Sequence, residues 1–108
     1  MYTIIETPFF SKLWPCYWHE DERGAFAAFL AQHPEAGDMI VGTNGLRKVR
    51  WSRAGSGKSG GVRVIYFTRN DAGQIVLLMM YAKSERDTLS AKQLLEISHA
   101  YAHKTPVR

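Results

Sequence analysis

The hydrophobic pattern of the chain changes its period near the middle, and this change constrains the fold more than any other feature. Before Leu46 the apolar residues recur at the three- and four-residue spacing of helices. From Leu46 onward they alternate, with Val49 and Trp51 on one side of a strand and Lys48 and Arg50 on the other. The sequence therefore predicts a mostly helical first half followed by a sheet.

Two further strands are expected after this one. Residues 62–68 and 75–82 are rich in strand-forming side chains, and residues 70–73 between them are typical of a hairpin turn. Together with the strand that begins near Leu46, they make three consecutive antiparallel strands. A shorter strand over residues 2–6 opens the chain.

The helix boundaries carry capping signals. Thr7 followed by Pro8 marks the start of one helix, and the acidic residues from Glu20 mark the start of a second. Ser90 and Gln93 form a capping box before a third helix. The predicted order is β-α-α-β-β-β-α, an α+β fold, and the length fits a single domain over residues 1–108.

The positive charge is concentrated in one segment. Residues 39–70 contain no Asp or Glu but hold seven of the fourteen Lys and Arg residues. These seven are Arg47, Lys48, Arg50, Arg53, Lys58, Arg63 and Arg69. Because cations that neutralise phosphates release counterions, this segment favours a nucleic acid as the ligand.

Other features indicate a cytoplasmic protein without a membrane partner. The single Cys16 cannot form an internal disulfide, and no signal-peptide pattern opens the chain. The longest apolar run, residues 75–82, is far shorter than the roughly 20 residues that span a bilayer. We interpret this run as a buried strand.

Two motifs resemble chemical sites but lack parts of them. Residues 52–59 nearly match a phosphate-binding loop, yet Ser52 replaces its first glycine and a strand follows, so we expect a hairpin loop in which Lys58 could touch RNA. Glu96, His99 and His103 share a helical face, but a stable metal site needs more ligands. No metal and no cofactor are predicted.

The remaining candidates form one basic group. Lys48 and Arg50 lie on one strand face, Arg63 lies early in the next strand, and Tyr81 and Lys83 lie at the end of the third. An antiparallel arrangement would bring them into one patch. Trp51, beside Arg50, is a candidate for base stacking.

At these residues the chain resembles the RelE superfamily of bacterial toxins, and within it the HigB-like branch. The similarity extends from about Thr3 to Ile97. Its most specific segments are residues 37–38 (GD), 42–50 (GTNGLRKVR), 55–66 (GSGKSGGVRVIY) and 81–85 (YAKSE). The resemblance implies a RelE-like fold in which an antiparallel sheet packs against helices on one face.

The resemblance also implies a function. Members of this family are metal-independent endoribonucleases that enter the ribosomal A site and cut the mRNA there. A cognate, operon-encoded antitoxin, often DNA-binding, holds them inactive. The implied partners are therefore an antitoxin, the ribosome and mRNA.

Residue roles follow by position in the family. Lys48 and Arg50 match the basic residues of its first sheet strand after the helices, Arg63 matches its phosphate-binding arginine, and Lys83 falls in its late basic segment. Ser84 stands where many members have an arginine proposed as general acid. The C-terminal tyrosine of the founding branch has no clear equivalent near Ser90.

RNA cleavage by a 2′-hydroxyl needs a base, charge stabilisation of the phosphorane, and an acid for the leaving 5′-oxygen. Lys48 is the hypothetical base, because neighbouring cations disfavour the protonated form of a lysine. Arg50 and Arg63 would stabilise the transition state, and Lys83 is the hypothetical acid. The residues predicted to contact RNA are Arg47, Arg53, Lys58 and Tyr81.

Three alternatives stay open on the sequence alone. A ParE-like toxin with the same fold would poison DNA gyrase and cut no RNA. A non-catalytic module would use the same basic sheet for contacts to a nucleic-acid backbone. The departure at Ser84 is also compatible with an inactive toxin.

Overall fold

The computed structural model describes residues 1–51, 61–83 and 89–102. Residues 101 and 102 are described by their backbone alone. Within these ranges the chain forms five strands and three α-helices. In chain order they are β1 (Thr3–Glu6), α1 (Pro8–Leu13), α2 (Glu20–Gln32), β2 (Asp38–Met39), β3 (Arg47–Trp51), β4 (Val62–Arg69), β5 (Gln74–Ala82) and α3 (Ala91–Ile97). The predicted α+β class is confirmed.

Two helices begin at the capping residues that the sequence predicts. Thr7 precedes α1, where its hydroxyl accepts a hydrogen bond from the Phe10 N–H at 3.1 Å and donates one to the Leu78 carbonyl at 3.0 Å. Ser90 precedes α3 and exchanges bonds of 3.1 and 3.0 Å with Gln93. Because Leu78 belongs to β5, the Thr7 cap also fastens α1 to the sheet.

The five strands form one sheet in the order β1-β5-β4-β3-β2. β3, β4 and β5 are antiparallel neighbours, as predicted, and the tight turn before β5 holds Gly73 in the left-handed conformation, with φ of 64°. Two features go beyond the predicted arrangement. β1 lies parallel to β5, and β2 is an additional two-residue edge strand beside β3.

β5 contains one residue more than β4 between two paired positions. Ile65 pairs with Met79 and Tyr66 pairs with Leu77, which leaves Leu78 as a β-bulge. Side chains along β5 alternate between the two faces of the sheet, and the extra residue shifts this alternation by one position. As a result Leu78 and Met79 belong to the same hydrophobic cluster although they are adjacent in the strand.

Helices cover both faces of the sheet, which corrects the expectation that they would lie on one. Phe26 and Leu30 of α2 pack in one cluster with Val64, whereas Leu94 of α3 packs in another with Ile65. Val64 and Ile65 are successive residues of β4 and therefore point to opposite faces of the sheet. We name these the α2 face and the α3 face. The physical reason is that β4 and β5 are apolar on both sides and need cover on both.

No α-helix within the described ranges is long and apolar enough to cross a bilayer. The longest, α2, has 13 residues, whereas a membrane span needs roughly 20.

Candidate functional site

Three cationic side chains meet on the α3 face at one end of the sheet. Arg50 of β3 pairs with Arg63 of β4, and Lys48 pairs with Ile65, a residue of the α3-face cluster. Directly paired residues have Cβ atoms about 4.5–5.5 Å apart, and diagonal neighbours lie about 7–8 Å apart. The strand register thus brings Lys48, Arg50 and Arg63 together as the sequence pattern predicts.

None of these three cations forms an ion pair with another described residue. Arg50 is exposed, and Lys48 and Arg63 are half-buried. The ion pairs within the described ranges instead join Arg23 to two glutamates, at 2.6 and 2.8 Å. Adjacent cations without a counter-ion create a positive potential that attracts a polyanion.

Tyr81 and Lys83 lie at the end of β5 beside this group. Tyr81 pairs with Arg63, and the Lys83 backbone N–H donates to the Gly61 carbonyl at 3.3 Å, just before β4. Lys83 is exposed, while Tyr81 is only 5% exposed and packs in the α3-face cluster. Lys83 therefore lies at the same end of the sheet as Arg63, and Tyr81 supports Arg63 from the core without presenting an open ring face.

Arg47 is not brought together with the other cations. It immediately precedes Lys48 in β3, so its side chain starts on the opposite, α2 face. There the Arg47 Nη1 donates a hydrogen bond to the Gly37 carbonyl at 2.6 Å. This arginine has a backbone partner and holds the segment before β2 against the sheet.

Tyr66 completes the attachment of this segment. Its buried hydroxyl accepts a hydrogen bond from the Gly37 N–H and donates one to the Pro34 carbonyl, both at 2.9 Å. Burial raises the pKa of Tyr66, so the phenol keeps the proton that it donates. A Cβ on Gly37 would lie 2.8 Å from the Lys48 carbonyl oxygen, which is too close for any other residue without a shift of the backbone.

Asp38 joins the site although it was not among the predicted residues. It forms β2 with Met39 and pairs with Lys48, so its carboxylate starts on the α3 face beside the cations. A two-residue strand has no periodicity to detect, and Asp38 stands just outside the acid-free segment. Its only sequence signal is the Gly37-Asp38 pair within the family resemblance.

Trp51 serves the packing of α2. Its ring centroid lies 5.2 Å from that of Phe26 and 5.3 Å from that of Phe29, on the α2 face. These distances are typical of aromatic pairs in cores. The structure thus places Trp51 on the side of the sheet opposite to Lys48 and Arg50.

Several predicted residues lie outside the described residues. They are Arg53, Lys58, Ser84 and His103. Within the described ranges, no three His, Cys, Asp or Glu side chains come together in a way that could hold a metal ion.

No protein-family model matches the sequence. Among solved structures, the fold is similar to that of the E. coli toxin RelE, determined in the free state as a variant with two arginines replaced by alanine. The two chains share 14% sequence identity with a TM-score of 0.57, and the match covers 80% of this chain and 87% of the RelE chain. At this identity the similarity shows a RelE-like fold.

Proposed function

We propose that this protein is the toxin of a type II toxin–antitoxin system, of the HigB-like branch of the RelE superfamily, and that it cuts mRNA in the ribosomal A site. The observation that carries the proposal is the group of Lys48, Arg50 and Arg63 on one face of the sheet, without acidic partners among the described residues. The RelE-like fold supports it independently.

The chemistry needs no metal. The 2′-oxygen attacks the adjacent phosphorus, the bond from phosphorus to the 5′-oxygen breaks, and a 2′,3′-cyclic phosphate and a 5′-hydroxyl result. Arg50 and Arg63 stabilise the charge of the phosphorane, because guanidinium groups match phosphate oxygens in a bidentate fashion. Lys83 gives a proton to the leaving 5′-oxygen. Lys48 is the remaining member of this group and the base expected from the sequence.

The ribosome supplies the positioning that this open site lacks. The cations lie on a sheet surface and Arg50 is exposed. Proximity and orientation can lower a barrier by about 7–11 kcal/mol. We therefore expect slow cutting of free RNA and efficient cutting of translated mRNA in the cytoplasm.

The partner that restrains this activity is an antitoxin encoded in the same operon. An acidic or apolar segment that folds on binding would neutralise or cover the basic face. Co-expression of such a partner should restore growth.

The test is primer extension on mRNA from cells briefly induced for the wild type, Lys48→Ala or Arg63→Ala, with translation running or blocked. Lys12→Ala is the matched control, because it removes an exposed cation from α1, an element that contributes no residue to the group of Lys48, Arg50 and Arg63. We expect cuts only on translated messages, with the wild type and Lys12→Ala but with neither site variant.

Other outcomes assign other functions. Growth arrest without cuts, together with gyrase-mediated DNA breaks, would support the gyrase-poisoning alternative. RNA binding without cuts or arrest would leave a binding module or an inactive toxin. Full cutting by both site variants would contradict the proposed site.

A further inference from the structure

Asp38 opens the edge strand β2 directly after a residue that is bonded to the core. On one side of it, Gly37 is bonded through its N–H to Tyr66 and through its carbonyl to Arg47, at 2.9 and 2.6 Å. Gly37 also approaches the Lys48 carbonyl so closely that no Cβ fits there. An edge strand of two residues would otherwise be free to fray, so these bonds fix the position of Asp38 relative to Lys48.

The register gives Asp38 cationic neighbours. It pairs with Lys48, and Arg50 lies two residues further along β3, with Arg63 beside it on β4. Within the described strands β2–β5, Asp38 is the one acidic residue. A single carboxylate is therefore held at the border of a group of phosphate-binding cations.

The Asp38 carboxylate and the Lys48 ammonium group do not form a salt bridge. Asp38 is exposed and Lys48 is half-buried, and no ion pair between them occurs among the described residues. Paired strand positions put their Cβ atoms only about 4.5–5.5 Å apart. The two side chains can therefore both approach a substrate oxygen that lies above them.

We propose that Asp38 is the general base of this site, an inference that rests on the proposed ribonuclease function. A carboxylate has lone pairs for the proton of the 2′-hydroxyl, whereas an ammonium group has three donors and no acceptor. Asp38 takes that proton while the 2′-oxygen bonds to phosphorus, and Lys83 protonates the 5′-oxygen as its bond to phosphorus breaks. Lys48, with Arg50 and Arg63, stabilises the phosphorane.

The experiment measures cleavage under single-turnover conditions on mRNA in programmed ribosomes, with the wild type, Asp38→Asn, Asp38→Glu and Asp71→Asn. Asp71→Asn removes one exposed carboxylate from the turn between β4 and β5 and serves as the charge-matched control. Thermal melting establishes that each variant is folded. Toxin titrations separate the maximal rate from the half-saturating concentration.

We expect Asp38→Asn to lower the maximal rate about 100-fold or more, as loss of a general base does, without raising the half-saturating concentration. Asp38→Glu should recover part of the rate, and Asp71→Asn should match the wild type.

Two results would overturn the inference and leave the proposed function intact. One is cleavage by Asp38→Asn within about threefold of the wild type, since a general base contributes at least about 100-fold. The other is an effect of Asp38→Asn that is confined to the half-saturating concentration, since loss of a general base lowers the maximal rate. Absence of cleavage by the wild type on translated mRNA would overturn both the function and the inference.

Discussion

At the scale of single residues, Tyr66 connects the core of the protein to its candidate site. The side chain is fully buried, yet its hydroxyl reaches both Gly37 and Pro34. Each of these bonds ends on the backbone of the segment that leads into β2. The position of Asp38 thus depends on a residue that is itself buried in the core.

Replacing Tyr66 by Phe should lower the free energy of unfolding by about 1–3 kcal/mol, because the buried Gly37 N–H loses its acceptor. Tyr2→Phe is the matched control, since its hydroxyl bonds the Asn70 side chain at the exposed surface. The control should change the free energy by less than about 0.5 kcal/mol. Urea unfolding measures both, and equal effects would contradict the role of Tyr66.

Tyr66 also sets a dependence of stability on alkaline pH. Because burial raises the pKa of Tyr66 in the folded state, the folded protein holds this proton more tightly than the unfolded chain does. This contribution is intact below about pH 10, the ordinary tyrosine value, and is lost as the pH rises above it. Urea unfolding at increasing pH should show the wild type losing its advantage over Tyr66→Phe in that window.

At the scale of elements, strands and helices with a strong local signal were predicted correctly. The alternation around Lys48 and Arg50 identified β3, and the capping box at Ser90 identified α3. β2 was not predicted, because a strand of two residues is too short to show an alternating hydrophobic pattern. The sheet face that α3 covers was not predicted either. An amphipathic stripe indicates that a helix packs against the sheet, but not on which side.

The pairing of strands was predictable only where a turn dictates it. The tight turn at Gly73 forces β4 and β5 to be antiparallel, and Arg63 therefore faces Tyr81. No local signal joins β1 to β5, because their contact bridges about seventy residues of chain. Asp38 was missed for the same reason, since its place beside Lys48 depends on a pairing between distant segments.

The α3 helix should contribute measurably to stability through its contact with the sheet. Leu94 is almost fully buried against Ile65 and Met79. Leu94→Ala should cost about 2–5 kcal/mol, as for buried leucines in other cores. The half-buried Leu95 provides a comparison, and Leu95→Ala should cost less. Equal losses in urea unfolding would indicate that α3 does not pack through Leu94.

At the scale of the whole molecule, charge is divided between two parts of the chain. Residues 1–38 carry a net charge of −4 and residues 39–70 carry +7. The acidic part includes α2, which covers the α2 face, while Lys48, Arg50 and Arg63 start from the α3 face. The electric field of these separated charges would turn the positive side of the protein toward a polyanion before the two molecules touch.

Binding of a short single-stranded RNA should therefore weaken steeply with salt. If three cations each neutralise a phosphate, the logarithm of the affinity should fall with the logarithm of the salt concentration with a slope of about −2. Arg50→Ala should reduce the slope by about 0.7, whereas Lys12→Ala should leave it unchanged. Fluorescence anisotropy over a salt series measures these slopes, and equal slopes for the two variants would contradict the proposed interface.

The bulge at Leu78 divides β5 into two stretches. Side chains alternate between the two faces within each stretch, but odd-numbered residues face opposite sides of the sheet in the two stretches. Before the bulge, residues with odd numbers such as Leu77 face α2, whereas beyond it odd-numbered residues such as Tyr81 face α3. Without Leu78 the strand would alternate regularly, and the residues on either side of it would keep the faces that they have now. An alignment of this chain with a relative that lacks the bulge must therefore place a gap at Leu78, or the support of Arg63 will be matched to residues of the wrong side.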